Sequence, residues 1–230
     1  MSTLIVIAKA PVPGRVKTRL TPPFTPQQGA ELARAALADT LEAVATARVS
    51  LRLLALEGDP ALVPVESGFT VVPQGTGGLD RRLAAAFQQA AVLDPGPVLL
   101  VGMDTPQVTG PLLEACMPTA WEDATIGLAE DGGFWALGFR RPREVALERL
   151  LFDVPMSTDT TGAVQLGRLT DAGLRVRMLP VLRDVDTVAD LPAVAAAAPA
   201  SRFAAVARAV GALLPVSVPV SAPVSVPVSA

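Results

Sequence analysis

Asp104, Asp184 and Asp186 are the residues around which chemistry is first expected in this chain of 230 residues. Asp104 lies in Gly102-Met103-Asp104-Thr105-Pro106, directly after the fully apolar run PVLLV (Pro97 to Val101). That places a carboxylate just past the carboxyl end of a buried strand, where open α/β sheets hold their ligands. Asp184 and Asp186 are spaced by one residue in Arg183-Asp184-Val185-Asp186-Thr187. In an extended segment they point to one side and repel each other unless a cation sits between them. Oxygens from Asp104, Asp184 and Asp186 match Mg²⁺ or Mn²⁺, which take carboxylates, waters and substrate phosphate, better than a softer metal. The competing readings are a backbone cap for Asp104 and a cap on the following helix for Asp186.

A second group is basic. The loop Lys9-Ala10-Pro11-Val12-Pro13-Gly14-Arg15-Val16-Lys17-Thr18-Arg19-Leu20 holds both lysines of a chain whose 19 Lys and Arg are otherwise all Arg. Lys and Arg are not interchangeable at phosphate sites. A Gly-bearing loop directly after a first strand, with cations and free N–H groups, suits a nucleotide's phosphates, so Ala8, Lys9, Pro13, Gly14, Lys17 and Arg19 are candidate binders. A solvated basic loop is the bland alternative. A Walker A loop is excluded, because it needs Gly where Val16 stands. The later Gly75-Thr76-Gly77-Gly78 fails the dinucleotide pattern at Asp80 and reads either as a turn or as a ligand cradle. Asp131-Gly132-Gly133 is a β-turn or a place where backbone approaches a ligand. Cys116 sits among Leu112, Leu113 and Met117 as a buried thiol. Phe134 and Trp135 pack in the core or stack on a base or sugar.

Composition narrows the chemistry further. With no His there is no Ser-His-Asp or Cys-His site and no imidazole base or zinc ligand. One Cys cannot form an internal disulfide, which fits a reducing cytoplasm. A net charge of -3 lacks the basic excess of a nucleic-acid binder. The N-terminal apolar run has no basic segment ahead of it and reads as a strand, not an export signal. Half the residues are apolar and 18% are charged, enough for a full core. Residues 1–214 are expected to form a single nucleotide-binding domain. Residues 215–230 repeat PVSVPVSA with a proline every fourth position, which excludes a membrane helix and predicts an extended or disordered tail.

The elements that must position these groups alternate between short β-type runs and longer helical ones, predicting α/β layers around a mostly parallel sheet. Strands are expected at Thr3 to Ala8, Leu51 to Leu56, Phe69 to Val72, Pro97 to Val101, Ala124 to Ala129, Phe134 to Phe139 and Leu174 to Leu179. Helices are expected at Pro26 to Ala47, capped by Thr25 with Gln28, and at Leu79 to Val92. Others are expected from Thr109 to Met117, Arg143 to Leu150, Thr160 to Ala172, after Thr187, and Ser201 to Leu214.

The stretches AKAPVPGRVKTRL, GMDTP, EDGGFWALG, LFDVPMSTDTTG and LPVLRDVDTVADL, in this order, resemble the bacterial DUF2064 family of glycosyltransferase-A-like proteins. That family is similar to the phospholactate and molybdenum-cofactor guanylyltransferases. The resemblance implies a nucleotide-diphospho-sugar transferase fold, a Rossmann-like three-layer αβα arrangement with a mixed, mostly parallel sheet. It places Lys17 and Arg19 at a triphosphate or pyrophosphate and Asp104, with Asp184 and Asp186, at the metal. Gly75 and Arg82 join the phosphate site, while Asp131, Gly132, Gly133, Ser157 and Thr158 line the acceptor pocket. Met156 stands where the family usually has Trp, Asp80 replaces a Gly, and Val188-Ala189 replaces Pro-Glu. The expected activity is nucleotidyl transfer from a nucleoside triphosphate to a small phosphorylated or hydroxylated acceptor, with Mg²⁺ or Mn²⁺. Glycosyl transfer from a nucleotide-sugar and a non-catalytic nucleotide-binding module are the alternatives, without membrane or nucleic-acid partners.

Overall fold

Seven strands join one sheet in the order β3-β2-β1-β4-β6-β5-β7 in the structure, a computed structural model that describes residues 1–65 and 67–211. They are β1 (Thr3–Lys9), β2 (Leu51–Glu57), β3 (Thr70–Pro73), β4 (Val98–Gly102), β5 (Ala124–Leu128), β6 (Phe134–Phe139) and β7 (Val176–Met178). β1 pairs in parallel with β2 and β4, β2 with β3, and β5 with β7, whereas β6 is antiparallel to both its neighbours. The sheet is thus mixed and mostly parallel, as the alternation of elements predicts. Its central strands TLIVIAK and VLLVG are rich in β-branched and aliphatic residues and buried on both faces, the pattern of strands covered by helices on each side.

Seven α-helices flank it: α1 (Pro26–Thr46), α2 (Leu79–Leu93), α3 (Gly110–Cys116), α4 (Leu147–Leu151), α5 (Thr161–Asp171), α6 (Leu191–Ala197) and α7 (Arg202–Ala209). The expected capping box opens α1: Gln28 N–H donates to Thr25 Oγ1 at 3.2 Å and Thr25 N–H donates to Gln28 Oε1 at 2.9 Å. α1 and α3 cover one face of the sheet, with Leu37, Leu41 and Leu113 against Leu4, Leu54 and Leu99. α2, α4 and α5 cover the other, with Phe87, Leu150 and Leu169 against Ile5, Leu100 and Ile126. A third cluster joins the outer side of α1 to α6 and α7 through Leu32, Ala36, Leu191 and Phe203.

Two expected elements differ. The helix expected from Arg143 begins only at Leu147, because Arg143 is spent as a strap: its Nε donates to the Ala91 carbonyl at the end of α2 at 2.5 Å. The last strand is limited to Val176–Met178, bounded by an Arg175 tied to Asp123 and by Pro180, which has no N–H to donate. The end of the final expected helix, 212–214, and the repeat at 215–230 lie outside the described residues.

Chain order runs outward from β1 in both directions, so the carboxyl ends of β1 and β4 flank the point where the winding reverses. Such sheets leave a crevice there.

Candidate active site

A cleft of about 500 Å³ opens over these strand ends, a volume suited to a nucleotide-sized ligand. β1 leads into its basic rim. Lys17 takes a left-handed conformation, φ 51° and ψ 37°, which costs a non-glycine residue of order 1 kcal/mol and needs fixed surroundings. Val16 and Leu20 supply them by burial on either side, and Leu20 N–H donates to the Lys17 carbonyl at 3.0 Å. The Lys17 side chain, only 7% exposed, runs inward and sets Nζ 2.7 Å from Asp104 Oδ1.

Asp104 follows β4 as expected. Its buried Oδ1 is charge-compensated by the Lys17 ammonium, yet that approach lies off hydrogen-bond alignment and no other donor among the described residues reaches the oxygen. The Asp104 carbonyl accepts from Val185 N–H at 2.9 Å, while Lys17 Nζ also donates to the Val185 carbonyl. Val185 is itself fully buried beside Leu20 in the cluster against α1, α6 and α7. Three remote segments are therefore tied at one point. Arg19 forms an ion pair with Asp186, and Gln107 Nε2 donates to the Arg183 carbonyl at 2.5 Å.

Asp184 faces this knot with its carboxyl pushed up to about 6. Burial is the main cause, followed by the negative charge of Asp131 and then Asp104, with Lys17 and a backbone N–H opposing. Asp131 accepts from Gly133 N–H at 2.8 Å, closing the β5–β6 turn. That turn is docked on the start of α5. Gly162 N–H donates to the Gly132 carbonyl at 2.8 Å, and a Cβ on Gly132 would lie 1.9 Å from the Asp159 carbonyl oxygen. Beside it, Thr158 N–H donates to Thr161 Oγ1 at 3.1 Å, and the Thr158 hydroxyl lies 3.1 Å from that of Thr160.

Ala8, Lys9, Lys17, Arg19, Asp104, Asp131, Gly133, Ser157, Thr158, Asp184 and Asp186 all border the cleft. Pro13, Gly14, Gly75, Arg82 and Gly132 do not. Arg82 is a strut, paired with Glu57 and donating to the Gly77 carbonyl at 2.9 Å, and Lys9 shares Glu57 at 3.3 Å. Gly14 and Gly75 turn their loops at φ 74° and 83°, and the close approach of Asp159 leaves no space for a side chain at Gly132. Asp80, the departure from the usual glycine, accepts from Asp153 N–H at 3.0 Å and so ties α2 to the loop after α4. Sequence reasoning passed over Gln74, Leu79, Leu83 and Thr161, which also line the cleft. Gln74 carried a faint signal as an amide directly after β3. Of the two aromatics, Phe134 is only partly buried at the cleft wall, while Trp135 is buried and donates from Nε1 to the Pro180 carbonyl at 2.9 Å. Cys116 is buried, and burial raises its thiol pKa, leaving it inert at neutral pH.

The three aspartates expected to share a cation are not gathered alike. Asp186 is turned to Arg19, and among the described residues no three acidic, His or Cys side chains form a ready ligand set. Asp104 and Asp184 nevertheless fit a hard divalent ion. The first has a buried oxygen without an aligned donor, and the second faces the negative charge of Asp131 and Asp104, only partly offset by Lys17. Magnesium-like ions commonly use one or two carboxylates and complete their shell with water and phosphate.

A family model described as "Uncharacterized protein conserved in bacteria (DUF2064)" matches residues 26–158. Among solved structures, a candidate nucleotide-diphospho-sugar transferase from Desulfovibrio desulfuricans G20 superposes with a TM-score of 0.81 at 27% identity, covering 92% of this chain and 96% of that one. A cytidylyltransferase from Leptospira borgpetersenii serovar Hardjo-bovis (strain JB197) shares the fold at a TM-score of 0.57 and 12% identity, covering 91% and 93%. Rv0371c of Mycobacterium tuberculosis H37Rv, in complex with manganese, does so at 0.50 and 23%, covering 84% and 96%. No curated protein matches the chain.

Proposed function

The chain belongs to the DUF2064 family, and from that premise we propose that it is a metal-dependent nucleotidyltransferase, moving a nucleotide from a nucleoside triphosphate to a small phosphorylated or hydroxylated acceptor. The observation that carries this reading is the buried Lys17, held between Asp104 and Val185 under a cleft of nucleotide size. One ammonium there faces Asp104 and Asp184, with Asp131 nearby, so the site has room for a further cation and the phosphates that cation brings.

Lys17 and Arg19 would bind phosphate oxygens of the triphosphate, Lys17 thereby releasing its present partner Asp104 to a cation. Asp104 and Asp184 would hold Mg²⁺ or Mn²⁺, which when bound neutralises charge on the phosphates. Ser157 and Thr158 would orient the acceptor from the opposite wall, with Asp131 limiting it to one side. The acceptor oxygen then forms a bond to the α-phosphorus as the bond from that phosphorus to the bridging oxygen breaks, and the electron pair leaves with pyrophosphate. A phosphate oxyanion has no proton to lose, so for that acceptor positioning and charge neutralisation suffice in a chain without His, whereas a hydroxyl acceptor would pass its proton to a cleft carboxylate such as Asp131.

Glycosyl transfer from a nucleotide-diphospho-sugar is the second reading, favoured by what the Desulfovibrio protein is named for. Phosphorus NMR separates the two. Incubation with nucleoside triphosphates, Mg²⁺ or Mn²⁺, and a panel of phosphorylated and hydroxylated acceptors is expected to yield pyrophosphate. Release of nucleoside diphosphate from nucleotide-sugars, with triphosphates untouched, would establish the second reading instead.

A further inference from the structure

The charge of the cleft is divided between its walls. Lys9, Arg15, Lys17 and Arg19, the basic residues that line it, all belong to the end of β1 and the loop that follows. The facing wall is built from the β5–β6 turn and the segment leading into α5, joined where Gly162 N–H donates to the Gly132 carbonyl at 2.8 Å. It brings Asp131, Phe134, Met156, Ser157, Thr158 and Thr161 to the cleft, and none of these is a cation.

Asp131 is the carboxylate left over. Asp104 and Asp184 fit a divalent ion, and Asp186 has Arg19. Asp131 pairs with no basic side chain among the described residues, and its Oδ1 accepts only the Gly133 N–H that closes the turn. Arg183, brought alongside by the pairing of Ala129 with Leu182, is held by Glu130 at 2.7 Å instead. The Asp131 charge reaches Asp184, where after burial it is the largest influence raising that carboxyl. A ligand that spans the cleft therefore meets opposite demands at its two ends. Phosphates suit the basic loop, and a second anionic group at the far wall would oppose Asp131. A positively charged nitrogen suits Asp131, and Phe134, half-buried on the same wall, supplies a ring of the kind that attracts cations.

We propose that the acceptor carries a positively charged nitrogen in addition to the phosphate that attacks, and that Asp131 binds this nitrogen. The inference rests on the nucleotidyltransferase reading and narrows its acceptor to a phosphorylated ammonium compound. A phosphate acceptor has no proton to lose, so Asp131 is free for the role, and a carboxylate holding an ammonium makes the stronger, charge-assisted kind of hydrogen bond.

Three phosphate esters of similar size test it: aminoethyl phosphate, propyl phosphate and phosphoglycolate, which end in an ammonium, a methyl and a carboxylate. Each is titrated by calorimetry into the full chain loaded with Mg²⁺ and a nucleoside triphosphate whose α,β-bridge is methylene, so that no transfer occurs. Aminoethyl phosphate is expected to bind at least about tenfold more tightly than propyl phosphate, the scale of one hydrogen bond to a charged group, and phosphoglycolate is expected to bind weakest. Asp131→Asn keeps an oxygen for the Gly133 N–H and should bring the first two affinities together. Equal affinities of aminoethyl and propyl phosphate in the native chain, or no binding of any ester while the triphosphate analogue binds, overturn the proposal and leave the nucleotide reading intact. That arm holds even if the variant fails to fold. An ammonium preference that persists in Asp131→Asn also overturns it, because the nitrogen then sits elsewhere. Failure of the triphosphate analogues themselves to bind removes the nucleotide reading and this inference with it.

Discussion

The Lys17 ammonium, buried against Asp104, decides what substitutions at this pair do. From the sequence alone, Asp104→Asn is expected to leave the melting temperature nearly unchanged, since a loop carboxylate loses little. The structure changes that expectation. Neutralising Asp104 leaves a lysine that is 7% exposed without its charged partner, and such changes cost about 3–5 kcal/mol when the pair is fully buried. Asp104 itself is 38% exposed, so a loss of about 1–2 kcal/mol is expected, with metal-promoted nucleotide binding abolished. Urea unfolding of Asp104→Asn checks the first part and calorimetry the second. Lys17→Arg is expected to fail as well, because a planar guanidinium cannot replace a compact ammonium between a carboxylate and the Val185 carbonyl. Nucleotide binding that survives Lys17→Arg undiminished would show that shape does not matter there.

At the scale of elements, much was legible because local chemistry and tertiary need agree. The Thr25 and Gln28 box, the apolar run before Asp104 and the acidic turn between β5 and β6 fall where pattern alone puts them. What escaped was long-range. Nothing local distinguishes Gln74 from any polar residue after a strand, and nothing local turns Asp186 toward Arg19. These depend on which segments the sheet order brings together. Leu20 and Val185 do that work, buried beside each other in the cluster outside α1. Val185→Ala is expected to cost about 1–3 kcal/mol and, unlike an equal loss in the core beneath α2, to weaken nucleotide binding by releasing Asp184 and Asp186. Equal affinities in Val185→Ala and the native chain would contradict this.

Another tie closes the far edge of the sheet. Asp123, directly before β5, accepts from Arg175 before β7 and from Arg140 after β6. The hydrogen bonds of Arg175, then those of Arg140, hold its carboxyl well below the usual carboxylate range. A depressed native pKa contributes stability that is present above the unfolded value and lost as pH falls toward the folded one. Asp123→Asn is thus expected to lower the melting temperature at neutral pH, with the gap to the native chain narrowing below about pH 4. A gap that stays constant down to pH 2 would mean the ionised form matters little.

For the molecule as a whole, the sheet order separates support from chemistry. The covered strands carry the two apolar cores, and the cleft collects loops from both sides of the winding reversal. The repeat at 215–230 is expected to serve neither, so its deletion should change neither melting temperature nor turnover, and a fall in either would make it part of the working protein. No described helix is long and apolar enough to cross a membrane. The central claim is that Asp104 and Lys17 hold a nucleotide's phosphates together with a divalent cation. Calorimetric titration of the native chain with nucleoside triphosphates, with Mg²⁺ or Mn²⁺ and then with chelator, tests it most directly. At least tenfold tighter binding with the metal, absent in Asp104→Asn, is the predicted result, and equally tight binding in chelator would contradict it.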